Sequence, residues 1–205
     1  MLLRIVLLSV VVVATPVHAG PTIVVFGDSL SAGYGLSQGS GWVSLLEQRL
    51  QHEKLDYAVV NASISGETTF GGRNRINSVL QEHKPAVVIV ELGANDGLRG
   101  SAVETTRANL VAIVAACRKA GAKVLLVGMR IPPNYGPVYT RRFEAMYAEV
   151  ARQQNTSLVP FMLEGFAEKR AMFQADGIHP SAQAQPRVLD NIYKRLRALL
   201  LPRRR

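Results

Sequence analysis

Four small-residue turns, widely spaced along the 205-residue chain, carry chemical groups that together could perform acyl transfer. Ser29 and Asn95 each follow an apolar run, and His179 lies three residues after Asp176 in one loop. A serine hydroxyl becomes a nucleophile when a base removes its proton, and an imidazole accepts and returns protons near neutrality. A carboxylate beside the imidazole fixes its tautomer and stabilises the imidazolium. Ser29, His179 and Asp176 are therefore candidates for nucleophile, base and orienting acid.

Acyl transfer also requires donors for the negative charge that develops on the substrate oxygen. The candidates are the backbone N–H groups of Ser29 and Gly66 and the side-chain amide of Asn95. Losing one such donor typically raises the barrier by roughly 3–4 kcal/mol. Glycine at position 66 would let the backbone come close to the substrate oxygen.

Each of these residues also has a simpler explanation when taken alone. The Gly-Asp-Ser tripeptide that contains Ser29 is typical of a turn with a helix cap, and Asp176 could form only a local turn. Asn95 could likewise do no more than form a turn after its strand. Asp28 and Asp96 are rival carboxylates, and we interpret both as turn residues that bond to nearby backbone.

An alternation of strands and helices would position these turns. Apolar runs predict five strands, at about residues 23–26, 57–61, 86–92, 123–128 and 157–160, and apolar residues at helical spacing predict helices between and after them. This order predicts one parallel sheet with right-handed crossovers and helices on both faces. The carboxyl ends of parallel strands lie at one edge, where such sheets bind ligands. Residues far apart in the sequence can therefore meet there.

The predicted helix before the fourth strand carries two further signals. Ser101 and Glu104 match a capping box in front of it, and we expect the helix to reach about Lys119. Cys117 is the only cysteine, so no internal disulfide can form. It lies on the apolar stripe of this helix and is predicted to be a small core residue.

The first nineteen residues differ in composition from the rest of the chain. Arg4 is their only charge, residues 5–13 are almost wholly apolar, and small or modest residues precede Gly20. This pattern is similar to a secretory signal peptide, and the apolar run is shorter than the roughly 20 residues that span a bilayer. We predict a signal peptide over 1–19, cleavage after Ala19, one domain over 20–205, and a periplasmic or secreted location.

The net charge of +9 is concentrated near the end of the sequence. Lys194, Arg195, Arg197 and residues 203–205 are interpreted as a solvated helix face followed by a frayed terminus. Aromatic residues are not interleaved with these basic residues, so we do not expect nucleic-acid binding. The basic surface is compatible with transient contact with anionic lipid. Nothing in the sequence demands more than a monomer.

The motifs at 27–31, 66, 93–96 and 176–180 resemble, in order and spacing, the four blocks of the SGNH or GDSL hydrolases. Residues 61–66, 91–93, 95–100 and 133–136 further resemble the bacterial periplasmic thioesterase I, lysophospholipase and arylesterase group. The resemblance implies an α/β fold, a flavodoxin-like three-layer sandwich with a five-stranded parallel sheet. It implies Ser29 as nucleophile, His179 as base, Asp176 as its partner, and Gly66 and Asn95 in the oxyanion hole with the Ser29 amide.

One position departs from the pattern of this group, which usually has a second glycine where Ala94 stands. Alanine adds a methyl group and disfavours a positive φ. We therefore expect Ala94 to affect rate and acyl selectivity more than the chemistry.

Together these features predict an exported serine esterase that hydrolyses carboxylic esters and thioesters through an acyl-enzyme, without a metal or an organic cofactor. Its expected substrates are small acyl esters and thioesters: aryl esters, acyl thioesters and lysophospholipids. Loop residues near the active edge could bound an acyl pocket, although loop packing explains them equally well: Leu98, Ile131, Pro132 and Tyr135. Two alternatives are a polysaccharide deacetylase, which an aromatic content of 6% disfavours, and a non-catalytic binding module, which the complete set of groups disfavours.

Overall fold

Five parallel strands form a single sheet in the order β2-β1-β3-β4-β5. The strands are β1 (Thr22–Gly27), β2 (Ala58–Asn61), β3 (Val87–Glu91), β4 (Lys123–Val127) and β5 (Ser157–Val159). The computed structural model describes residues 20–200. The predicted signal peptide and the basic residues at 203–205 lie outside the described residues. All five predicted strands are confirmed, and the observed strands end within about a residue or two of the predicted bounds.

Seven α-helices follow the strands in the described part of the chain. They are α1 (Ser29–Ala32), α2 (Trp42–His52), α3 (Thr69–His83), α4 (Ala94–Leu98), α5 (Val103–Lys119), α6 (Pro137–Gln153) and α7 (Gln185–Leu200). Helices α2 and α7 pack together, while α5 packs against both α3 and α6. These two helical layers enclose the sheet, which gives the predicted three-layer sandwich. No helix within residues 20–200 has the length and apolar character needed to cross a membrane.

The core lies on both faces of the two central strands. Residues 23–27 of β1 and all of β3 are buried, because helices cover the sheet on each side. Cys117 is fully buried on α5, as predicted. Lys194, Arg195 and Arg197 are exposed on α7, which confirms the predicted solvated helix face.

The predicted capping box at the start of α5 is wrong. The N-cap position falls on Ala102, which makes no side-chain hydrogen bond, so Ser101 lies one residue too early. The Ser101 carbonyl oxygen instead accepts a hydrogen bond from the Tyr139 hydroxyl at 2.6 Å. Glu104 forms an ion pair with Arg142 of α6. Ser101 and Glu104 therefore contact α6 and do not cap α5.

Candidate active site

The structure brings together three predicted residues at the carboxyl edge of the sheet. Ser29 is the first residue of α1, directly after β1, and its Oγ lies 2.9 Å from His179 Nε2. The other ring nitrogen of His179, Nδ1, lies 2.7 Å from Asp176 Oδ2. A continuous hydrogen-bonded chain therefore links carboxylate, imidazole and hydroxyl. This is the arrangement in which an imidazole can remove the proton of a serine.

Backbone hydrogen bonds fix the carboxylate of Asp176. Its Oδ1 accepts the N–H groups of Ile178 at 2.9 Å and of His179 at 3.0 Å. The Ile178 bond, followed by the bond to the His179 ring, lowers the pKa of Asp176 to about 2. The Arg170 guanidinium braces the same loop by donating to three successive carbonyl oxygens, those of residues 173–175. Asp176 therefore remains an acceptor for His179 at any pH near neutrality.

A residue missed in the sequence analysis packs against the imidazole. The ring centroid of Tyr34 lies 4.6 Å from that of His179. The side-chain amide of Gln174 donates to the Tyr34 carbonyl oxygen at 2.8 Å and so joins the two loops. An aromatic residue in the glycine-rich loop after β1 was the available signal. Tyr34 restricts the orientation of the imidazole from its outer side.

The predicted oxyanion donors line one cleft with Ser29. Asn95 Nδ2 donates to Asp28 Oδ2 and to the Glu67 carbonyl oxygen, both at 3.0 Å. Gly66 has a φ of +81°, a left-handed conformation that favours glycine over other residues. A Cβ there would meet no atom within 4 Å, so the backbone conformation, and not a lack of space for a Cβ, favours glycine at this position.

The two rival carboxylates have distinct structural roles. Asp28 Oδ1 accepts the Leu30 N–H at 3.0 Å, the local bond that was predicted. The prediction of a purely local role is wrong for Asp96, whose buried carboxylate accepts both the N–H (2.8 Å) and the Oγ1–H (2.6 Å) of Thr69. Thr69 begins α3 and Asp96 lies in α4, so this bond ties together the turns that follow β2 and β3. Asp28 also has a distant partner, because its other oxygen accepts from Asn95.

We expect Asp28 to make the stability of the protein depend on pH. Burial raises the pKa of Asp28 from 3.8 to about 6, so the folded state holds this proton more tightly than the unfolded chain. The favourable contribution is complete below about pH 4 and is lost as the pH rises through about 6. The difference in pKa corresponds to about 3 kcal/mol.

The measurement is urea denaturation of the wild type and of Asp28→Asn at pH 4 and pH 7.5. Asparagine cannot ionise, so the variant should gain up to about 3 kcal/mol relative to the wild type between the two pH values. A constant difference would show that Asp28 does not titrate in this range.

A cleft of about 610 Å³ opens beside Ser29 and His179. Its apolar lining includes Leu98, Ile131 and Pro132, as predicted, and several residues that the sequence analysis missed: Met129, Pro133, Phe161, Leu163, Ala167, Phe173 and Ile178. Phe161 and Leu163 follow shortly after β5. The expectation that residues after the carboxyl ends of the strands lie at the site could therefore have identified them.

Tyr135 was predicted to bound the pocket, but it does not line the cleft. Its hydroxyl donates to the Leu98 carbonyl oxygen at 2.8 Å, which turns the polar end of its ring towards the backbone of α4. Tyr135 therefore bonds to the backbone of Leu98, which lines the cleft, but does not line the cleft itself.

Ala94 causes no backbone strain. It is the first residue of α4, and the positive φ in this turn, +118°, falls on Gly93. A Cβ at Gly93 would lie 2.5 Å from the Tyr147 hydroxyl, so both conformation and space require glycine there. The alanine contributes its methyl group to the cleft without disturbing the turn that presents Asn95.

Comparisons with known proteins identify the family. Residues 25–186 match the GDSL-like Lipase/Acylhydrolase family. The protein belongs to this family. The resemblance inferred from the four motifs is confirmed, as is the fold, whose strand order is flavodoxin-like. The predicted type of reaction, hydrolysis of an acyl ester, agrees with the family.

Three known proteins illustrate the similarity. Esterase TesA of Pseudomonas aeruginosa is 51% identical over 189 residues, which cover 92% of this chain and 94% of that protein. Thioesterase 1/protease 1/lysophospholipase L1 of Escherichia coli is 41% identical over 182 residues, covering 89% and 86%. The crystal structure of the psychrotrophic esterase EstA from Pseudoalteromonas sp., inhibited by monoethylphosphonate, has a TM-score of 0.83 at 41% identity and covers 87% of this chain and 98% of that chain.

Proposed function

We propose that this protein is a serine esterase that hydrolyses carboxylic esters and thioesters through an acyl-enzyme intermediate, with Ser29 as nucleophile. The observation that carries this proposal is the unbroken set of contacts from Asp176 through His179 to Ser29, 2.7 Å and 2.9 Å long, at the mouth of an apolar cleft. Membership of the acylhydrolase family supports the same reaction.

The proposed reaction has two stages. Ser29 Oγ attacks the acyl carbon while His179 Nε2 takes its proton, and the imidazolium is stabilised by the ionised Asp176. His179 then gives the proton to the departing alcohol or thiol, which leaves the acyl group on Ser29. A water molecule, deprotonated by the same nitrogen, attacks the acyl-enzyme and releases the acid. The steps require neither a metal nor an organic cofactor.

We assign the oxyanion hole to the N–H groups of Ser29 and Gly66 and to the side chain of Asn95. One Nδ2 hydrogen of Asn95 bonds to the Asp28 carboxylate, and this bond orients the amide. The other bonds to the carbonyl oxygen of Glu67, the residue after Gly66. The substrate oxygen would take the place of the Glu67 carbonyl as the acceptor for this second hydrogen. Asp28 therefore serves as the fixed support of the Asn95 donor.

We expect the cleft to favour substrates with longer acyl chains over acetyl esters. Each methylene buried against its apolar wall contributes about 0.8 kcal/mol, or up to about fourfold in kcat/KM. The measurement is a series of p-nitrophenyl esters and matching acyl thioesters of increasing chain length on the purified protein. A monotonic decline from acetate upwards, with turnover of acetylated polysaccharides, would instead support the deacetylase alternative.

A fluorophosphonate probe tests the nucleophile directly. We expect one stoichiometric adduct, located on Ser29 by peptide mass spectrometry, and loss of esterase activity in proportion to labelling. The absence of an adduct, or an adduct elsewhere in the cleft, would contradict the assignment and favour a non-catalytic binding role.

We also propose that the enzyme is exported and acts as a monomer in the periplasm or outside the cell, with small acyl esters or thioesters as partners. The composition of residues 1–19 supports export, and the exposed basic face of α7 allows transient contact with anionic lipid. N-terminal sequencing of the mature protein should give Gly20 as its first residue.

A further inference from the structure

A carboxyl group without an assigned role lies directly beneath the nucleophile turn. Glu91 is the last residue of β3, pairs with Gly27 of β1 in the sheet, and is fully buried. Its Oε2 accepts the Ser31 hydroxyl at 2.7 Å and lies 3.4 Å from the Asp28 amide nitrogen. These two partners stand on either side of Ser29 in the sequence.

Gly27 makes room for this carboxyl group. A Cβ at position 27 would lie 2.7 Å from Glu91 Oε2, closer than a Cβ carbon can approach another atom. Two features therefore favour glycine at this position of the Gly-Asp-Ser motif: the turn, and the Glu91 side chain that fills the space behind it. Any shift of the Glu91 side chain would be transmitted to the turn through Asp28 and Ser31.

The surroundings of Glu91 favour its neutral form. Two titratable groups face it, Asp28 from the turn after β1 and Tyr147 from α6, and both carry a negative charge when ionised. No cation among the described residues compensates for it. Burial, followed by the charge of Asp28, raises the pKa of Glu91 well above its usual value. A charged carboxylate here would cost several kcal/mol, so the group holds its proton.

We propose that Glu91 is a positioning residue that acts as a neutral acid: its Oε2 holds Asp28 and Ser31 and so places the hydroxyl and the N–H of Ser29. Its other oxygen, Oε1, has no hydrogen-bond partner and is where the proton would reside. Neutrality also keeps a second negative charge away from the oxyanion that develops above this turn. The inference rests on the proposed function of Ser29.

Glutamine and leucine at position 91 separate this role from mere filling of space. Glutamine has the shape of the protonated acid, keeps an acceptor for Ser31 and Asp28, and places its NH₂ where Oε1 lies. We therefore expect Glu91→Gln to keep kcat within about threefold of wild type. Leucine fills the space without an acceptor, and we expect Glu91→Leu to lower kcat about 100-fold at a nearly unchanged KM, because small displacements of reacting groups have effects of this size.

The experiment measures kcat, KM and the rate of fluorophosphonate labelling for both variants, with circular dichroism as the test of folding. Glu53→Gln and Glu53→Leu are matched controls, because Glu53 pairs with Arg197 at the far end of α2 from this turn. A folded Glu91→Gln protein that loses more than tenfold in kcat would overturn the proposal, and this single variant decides it if the leucine variant does not fold. A leucine variant with wild-type kcat would also overturn it.

These outcomes are distinguishable from failure of the proposed function. If Ser29 is not the nucleophile, the wild type itself shows no labelling at Ser29. If only the role of Glu91 is wrong, the wild type labels and turns over normally, and the ratio between the two Glu91 variants departs from the expected one.

Discussion

Replacing Ser29 with alanine should lower kcat for p-nitrophenyl esters by roughly 10⁴- to 10⁶-fold, the range expected when a catalytic nucleophile is removed. The substitution deletes the atom that we propose forms the acyl-enzyme, and it leaves His179 with no hydroxyl to deprotonate. The residual rate would come from the cleft and the oxyanion donors alone.

The stability of the Ser29→Ala protein should change little. Only one hydrogen bond is lost, the 2.9 Å contact with His179, and such bonds contribute about 1 kcal/mol net. The loss of activity can therefore be separated from unfolding by thermal denaturation of both proteins. Ser78→Ala is the matched control, because its hydroxyl bonds only to the backbone of its own helix on the exposed side of α3. Turnover of Ser29→Ala comparable with that of the control would refute the mechanism.

Asp176→Asn should reduce kcat by roughly 10⁴-fold without disturbing the loop. The asparagine Oδ1 can still accept the N–H groups of Ile178 and His179, so the backbone keeps its conformation. Its NH₂ group, however, replaces the oxygen that faces His179 Nδ1 and donates where the carboxylate accepted. The proton of the imidazole then moves to Nε2, which points at Ser29 and can no longer accept the hydroxyl proton.

The pH dependence tests this interpretation. The pKa of Asp176, lowered to about 2, keeps the carboxylate ionised throughout the working range of the wild type, so its titration does not limit wild-type activity above about pH 4. The variant should stay inactive across that range while still folding, with Asp190→Asn on α7 as a control for charge removal. Near-normal activity of Asp176→Asn would show that another group orients the imidazole.

The proposed oxyanion donors illustrate a limit of reasoning from the sequence. Asn95 was identified by its place after a strand, but its support was not, because Asp28 was interpreted only as a local cap. In the structure Asp28 does both: one oxygen caps α1 and the other, at 3.0 Å, accepts a hydrogen bond from Asn95. The preference of aspartate for helix N-caps predicts the bond to the neighbouring backbone, but it does not predict a partner for the other carboxylate oxygen.

The sequence by itself determined the strands, the family and the residues that carry the proposed chemistry. Their signals are local: apolar runs, glycines at tight turns, and a carboxylate three residues before a histidine. These follow from backbone preferences and short-range hydrogen bonds, which are the same in any fold. The separation of 150 residues between Ser29 and His179 did not hide the pair, because parallel strands end at one edge.

Only the tertiary structure decided which side chains meet across elements. Asp96 accepts a hydrogen bond from Thr69, and the Ser101 carbonyl oxygen accepts one from α6 although Ser101 caps no helix. The Tyr135 hydroxyl bonds to the backbone of α4, and Glu91 lies beneath the turn that contains Ser29. Each outcome depends on strand register and on how α3, α4 and α6 pack over the sheet. Such contacts join residues that are distant in the chain, and no periodicity or turn preference encodes the distance between them.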